Sequence, residues 1–294
     1  MTSVDLTSQL SPSRRIKDVT FRITLTASIL AALGFIFAVI FSLWNDSKFL
    51  LSREIIFNFP SFDPDQAGFQ SPIMGSIWVV TTAALIALPI GILTALYLEE
   101  FSPKKNRLVQ LLELNIQNLA GVPAVVFGLI GLAFIARGPL GWGFTVGSAS
   151  LVLAMMILPV VIIVSRESIR AVPPSYKEGA LALGATQWQA VSRLVLPSSI
   201  PGTATGSILA VSRAMGESAP LLLLGALSFV TFNPDGLDSP FTVLPLAIFK
   251  YSIDSREEFH YIAAAGSLIL VAILFTLNLI AILLRDYTTR KNRV

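Results

Sequence analysis

Arg213 and Glu217 stand four residues apart in a stretch, Pro201 to Ser228, that is otherwise free of charge. Inside a membrane each would cost about 2.5–3.5 kcal/mol on insertion scales, so such residues usually mark a polar pathway. Their i, i+4 spacing predicts one shared helix face and a mutual ion pair. A helix-gluing salt bridge is one role for them. Gly202 and Gly206, lower on the same segment, already supply a G-x-x-x-G surface for close packing at smaller cost. A substrate path is therefore the preferred role. Arg presents a planar fork of donors that suits phosphate or carboxylate oxygens. Glu217 would repel a fully ionised anion. It can orient Arg213, or accept a hydrogen bond from hydrogenphosphate, which still carries a proton; sulfate has none to give.

Other chemistry is short of parts. With no Cys, disulfides, thiolate metal sites and cysteine nucleophiles are excluded, and a single His260 cannot build an H-E-x-x-H zinc site. Gly216-Glu217-Ser218-Ala219-Pro220 falls one glycine short of a nucleophile elbow, and no His is near it. Glu99 and Glu100 are adjacent, so their side chains diverge by about 100° on a helix and are expected to be solvated. No Gly-Lys dipeptide exists, so a Walker A loop is absent. The expectation is a chain without catalytic residues, metal or cofactor, whose ATP hydrolysis, if any drives it, sits on another subunit.

The elements that must position the Arg–Glu pair follow from composition. Of 294 residues, 54% are hydrophobic and only 13% charged, against about 25% charged in a soluble domain. Lipid is where so much apolar surface is buried. Spans of about 20 apolar residues are predicted at 23–44, 73–98, 117–136, 146–165, 201–228 and 261–284, giving six transmembrane helices. Pro89 with Gly91, and Pro159, are expected to kink the second and fourth. The first apolar run is too long for a signal h-region and has no small-x-small cleavage site after it, so it is expected to stay.

Fifteen of the 21 Lys and Arg residues flank alternate ends of these spans: the N-terminus, the loops around Lys104, Lys105 and Arg107 and around Arg166 to Arg193, and the C-terminus. That asymmetry predicts both termini in the cytoplasm. The net charge of +3 then reads as topology and contact with anionic lipid, with no nucleic-acid partner implied. The division is a tail at 1–21, a membrane domain at 22–284 and a tail at 285–294. Two longer outward loops, 45–72 and 229–260, carry acidic excess and are read as a solvated cap or as a docking surface for an outer partner.

The most informative soluble segment is 172–200. Pro173-Pro174 stops the preceding helix, Ser175 and Glu178 form a candidate capping box, and Gly184 can end a short helix in a left-handed conformation. Thr186 to Leu196 places Trp188, Val191 and Val195 on one face. Glu178-Gly179-Ala180, then Gly184, then Leu194-Val195-Leu196-Pro197 resembles the E-A-A-x-x-x-G-x(9)-I-x-L-P loop of binding-protein-dependent ABC permeases. Gly179 and Leu194 depart from it, each by a small or apolar exchange. The resemblance implies that this loop is a coupling helix seated in a groove of an ATPase subunit, with Glu178, Gly179, Ala180 and Gly184 as the coupling residues.

Further segments sharpen the likeness. Arg213-Ala214-Met215-Gly216-Glu217-Ser218-Ala219-Pro220-Leu221 resembles the R-A-x-G-E-[ST]-A-P-L segment of phosphate permeases of the PstA type. Asn118 to Pro123 is similar to their N-L-A-G-V-P signature, and Phe241 to Pro245 with Ile248-Phe249 to their last outer loop. The resemblance covers about Ile73 to Arg285. It implies an all-α, type I ABC importer permease fold in the bacterial inner membrane, carrying phosphate. Its partners would be a homologous second permease, two ATPase subunits and a periplasmic phosphate-binding protein. Sulfate or molybdate is the alternative cargo. An intramembrane enzyme lacks paired His, Cys or Asp, and a stand-alone channel leaves the 178–197 loop without a purpose.

Overall fold

A computed structural model of the chain describes residues 12–51, 53–103, 106–226 and 229–291. Lys104, Lys105 and Arg293, the end of the expected fifth span (227–228) and the outermost tails lie outside the described residues.

The described chain is helical and contains no strand. Five helices are long and apolar enough to cross a membrane. A sixth crossing is obtained when one bent pair is counted as a single span. Helix α1 (Pro12–Ser47) takes in part of the expected tail. After a short α2 (Arg53–Phe57) comes α3 (Gln70–Leu96), prolonged by a π-helical turn to Phe101. The bent pair is α4 (Arg107–Ala120) and α5 (Ala124–Ile130), the latter continued to Ala136. Then follow α6 (Val146–Arg170), α7 (Pro174–Ala182) and α8 (Gln187–Ala190). Helix α8 runs through a π turn into α9 (Leu196–Met215). Helices α10 (Ala219–Leu223), α11 (Leu244–Ser252) and α12 (Glu257–Lys291) complete the order.

Helix α6 is the axis of the assembly. In its most apolar stretch 61% of the residues are buried inside the chain, against none for α1. Thr145 caps its start by accepting a hydrogen bond from the Ser148 amide. It packs against α3 and α9 at glycines: a Cβ on Gly91 would come within 2.6 Å of Val161, and one on Gly202 within 2.8 Å of Ser168. Gly206 abuts Val164 still more closely, so the G-x-x-x-G surface does pack helix on helix. Gly206→Leu should therefore overpack this contact and cost about 1–3 kcal/mol, read as a lower midpoint for thermal unfolding of the detergent-purified protein. An unchanged midpoint would mean that α9 does not rest on α6 through Gly206. Pro89 and Pro159 both lie within continuous helices rather than at breaks.

One end of the molecule gathers α7, the close of α3 and α6, and the start of α4; Ala95, Leu96, Val109, Ile169, Val191 and Val195 form its core. The opposite end carries α11, with Phe69, Tyr251 and Phe259 packed together. The expected outer loop 229–260 is not a simple solvated cap. Phe241, Val243 and Leu246 are buried in the main core, and Leu244 in the cluster around Phe69 and Tyr251. Hydrogen bonds from Ser71 Oγ to the Val230 carbonyl and from the Leu244 amide to Ser76 Oγ stitch the segment to α3. Its acidic residues Asp235 and Asp238 stay exposed, as do Asp46, Glu54, Asp63 and Asp65 of the first loop.

Candidate functional site

Two of the expected spans are broken, and the breaks carry the motifs. The third, expected at 117–136, bends by 104° between Ala120 and Ala124. Gly121 ends α4, and Pro123, which has no amide hydrogen to donate, precedes α5. The fifth begins earlier than expected, near Gln187, and stops at Met215 instead of reaching 228. Gly216, Glu217 and Ser218 are non-helical, and Pro220 sits in the first turn of α10. A Cβ on Gly128 would lie 2.7 Å from the Pro220 Cα, so α5 and α10 touch backbone to backbone.

The two breaks meet. Ala120, Val122 and Ala124 line one cleft with Met156, Ile157, Val160 and Arg213. Ile157 lies near the middle of α6, so the cleft sits about halfway along that helix. Residues of the 119–124 break and Arg213, far apart in sequence, thus line one cleft. Arg213 and Glu217 do pair, Nε to Oε1 at 3.4 Å, but across the end of α9 and not along one helix face. The Arg213 side chain is 73% exposed and that of Glu217 only 18%. The cleft beside them holds about 40 Å³, little more than one water molecule's share of about 30 Å³. An anion would have to meet the guanidinium on its exposed side.

The expected coupling residues lie elsewhere, some thirteen residues further along α6, roughly 20 Å at the helical rise. Helix α7 begins one residue earlier than the proposed cap: Pro174 occupies its first turn, Pro173 precedes it, and no Ser175–Glu178 capping box forms. Its end is as expected. Gly184 has φ +88°; its amide donates to the Leu181 carbonyl and that of Ala185 to the Ala180 carbonyl, the Schellman arrangement. A Cβ on Gly184 would meet nothing within 4 Å, so its requirement is backbone conformation alone. No residue of α7 is buried, and Tyr176, Leu181 and Leu183 are exposed. The capping box belongs instead to α8, where Thr186 and Gln189 bond reciprocally; its T-x-x-Q signature was legible. Val191 and Val195 are buried, whereas Trp188 is 60% exposed and packs beside Phe101. It does not share their core face.

Sequence reasoning missed the carboxylates beside this loop. Glu99 and Glu100 are not solvated; their side chains are 7% and 12% exposed. Glu99 holds Arg166 at 2.6 Å and Arg170 at 2.8 Å, and Arg166 also reaches Glu113 at 2.7 Å. Glu100 holds Lys177 of α7 at 2.5 Å. Adjacent helical residues do diverge, but here each meets a different helix. The only advance signal was a set of cations spaced along the facing segments.

Residues 87–294 match the family described as binding-protein-dependent transport system inner membrane component. The chain belongs to that family. It is 31% identical over 226 residues to the probable ABC transporter permease protein YqgI of Bacillus subtilis, covering 73% of this chain and 76% of that one. It is 32% identical over 235 residues to the phosphate transport system permease protein PstA 1 of Mycobacterium tuberculosis, covering 79% and 74%. A chain in the crystal structure of a bacterial alginate ABC transporter, solved with an alginate pentasaccharide-bound periplasmic protein, aligns with a TM-score of 0.65 over 92% of this chain and 94% of that one, at 17% identity. A chain of the inward-facing MetNI methionine ABC transporter aligns with a TM-score of 0.61 over 74% and 94%, at 15% identity. These structures share the fold. As a binding-protein-dependent permease the chain is a multi-pass inner-membrane transport subunit of an ABC transporter, and not itself an enzyme.

Proposed function

We propose that the chain forms half of the translocation pore of an ATP-driven phosphate importer, with residues 22–284 as its membrane domain. A homologous second permease would supply the other half, two ATPase subunits would lie beneath, and a periplasmic phosphate-binding protein would deliver cargo. The basic α7 end would face the cytoplasm by the positive-inside rule. Helix α1 closes near the α11 end, where Asn45 and Asp46 lie beside Pro64 and Glu258, and α12 starts there. Both termini would then be cytoplasmic.

The observation that carries this reading is the exposure of Arg213 beside the middle of α6. A guanidinium there is too costly to leave in hydrocarbon, so its open side calls for a watered path shared with the second permease. Its fork would bind phosphate oxygens, and Glu217 beside it would accept a hydrogen bond from the hydroxyl of hydrogenphosphate. The relatives named as phosphate permeases support the same cargo. Helix α7, wholly unburied and tipped by Leu183, has the exposed apolar surface of a docking knob. Glu178, Gly179, Ala180 and Gly184 would set its fit in the ATPase groove.

The test is ATP hydrolysis by the reconstituted complex with its binding protein. Phosphate should stimulate it and sulfate should not; stimulation by sulfate or molybdate instead would assign another oxyanion. Topology is checked on intact cells, using the natural lack of Cys. Cysteine placed at Asp63 or Asp235 should react with an impermeant maleimide from outside, and cysteine at Ser175 should not. The reverse labelling would invert the orientation.

A further inference from the structure

A cavity of about 440 Å³ opens between α7 and the ends of α3 and α6, lined by Glu99, Glu100, Arg170, Lys177 and Leu181 among others. Helix α7 buries none of its residues. Residues 171–173 tie α7 to α6 along the chain, and polar contacts join it to Glu100 beyond the end of α3. Lys177 Nζ spans the cavity to Glu100 Oε2 at 2.5 Å. From the segment after α7, Gln187 Nε2 donates to the Glu100 carbonyl, also at 2.5 Å.

The anchor on the far side is held by several ion pairs. Glu99, the neighbour of Glu100, takes Arg170 on both carboxylate oxygens and Arg166 on one. The Arg166 side chain, 8% exposed, continues to Glu113 of α4. Three cations and three carboxylates therefore balance across α3, α4, α6 and α7. Helix α4 in turn ends at Ala120, in the wall of the Arg213 cleft. Buried ion pairs seldom stabilise more than apolar packing of equal volume; their best attested use is to fix one arrangement of helices.

We infer that Glu100 and Lys177, backed by Glu99, Arg166, Arg170 and Glu113, are positioning residues that carry displacement of α7 into the helices lining the pore. This rests on α7 being the ATPase-docking knob. Neither Glu100 nor Lys177 lines the Arg213 cleft; their effect is on the coupling of transport to hydrolysis.

The experiment measures phosphate taken up per ATP hydrolysed in proteoliposomes holding the whole complex with its binding protein. Glu100→Gln and Lys177→Gln should each lower that ratio by about tenfold or more, with ATPase subunits still co-purifying. The reversed pair, Glu100→Lys with Lys177→Glu, should recover the ratio to within about threefold of the natural protein, because an ion pair works in either polarity. Single variants with the natural ratio would overturn the link, and so would a reversed pair no better than the singles. If a single variant fails to assemble, recovery in the reversed pair decides in the same two directions. Absence of phosphate-stimulated hydrolysis in the unsubstituted complex would instead overturn the docking reading itself, before any substitution is compared.

Discussion

Arg213→Gln should abolish phosphate uptake while the protein still inserts into the membrane. Its value on the proposed path lies in a permanent charge and a forked donor set, neither of which Gln supplies. Hydrogen bonds to a charged group contribute about 1.5–3 kcal/mol each, so losing two of them should lower uptake by about a hundredfold or more. Insertion should be unharmed or eased, since a charge within a membrane-spanning helix has gone. Arg213→Lys keeps the charge but not the fork and should retain little activity. A purely structural pair predicts another pattern. Removing Arg213 would then strand Glu217, which is 18% exposed and pairs with it at 3.4 Å, and adding Glu217→Gln would restore a neutral hydrogen-bonded couple. Uptake in the three variants at matched membrane levels separates the two. Recovery in the double variant would reduce the pair to glue between the end of α9 and the turn that follows it.

Gly184→Val is expected to give a permease that inserts and folds yet no longer couples to ATP hydrolysis. The left-handed conformation at φ +88° costs an L-residue about 1–2 kcal/mol, and a β-branched one most of all. Since a Cβ there would meet nothing within 4 Å, no clash adds to that cost. Gly184→Asn should therefore be nearly neutral, because Asn tolerates this conformation. Phosphate-stimulated hydrolysis by the two variants is the measurement. Full stimulation with Val would remove the Gly184 turn from coupling. Equal failure of Asn and Val would point to a partner surface that admits only Gly, a crowding absent from the single chain.

The chain's membrane character, its helical class and the position of α7 were legible because they depend on local quantities. Run length, charge spacing and the Gly184 stop are properties of neighbouring residues, and a 20-residue apolar run has few fates other than a span. The pairing of Arg213 with Glu217 was also local, although its geometry is not the helical one that the spacing predicts. Helix α9 stops at Met215, and a turn, not a helical face, brings the two together.

Tertiary structure decided the rest. Hydropathy cannot see that the third span turns by 104°, because the residues at its break, Gly121 to Pro123, are as apolar as those around them. Nor can it show that this break meets the one after Met215 beside the middle of α6, since that contact joins segments about ninety residues apart. Glu99 and Glu100 read as a solvated pair because a lone chain offers only water as a partner. Packing α6 and α7 against them supplies Arg166, Arg170 and Lys177 instead. Burying a carboxylate is unfavourable until its cations are placed, and only the assembled helices place them.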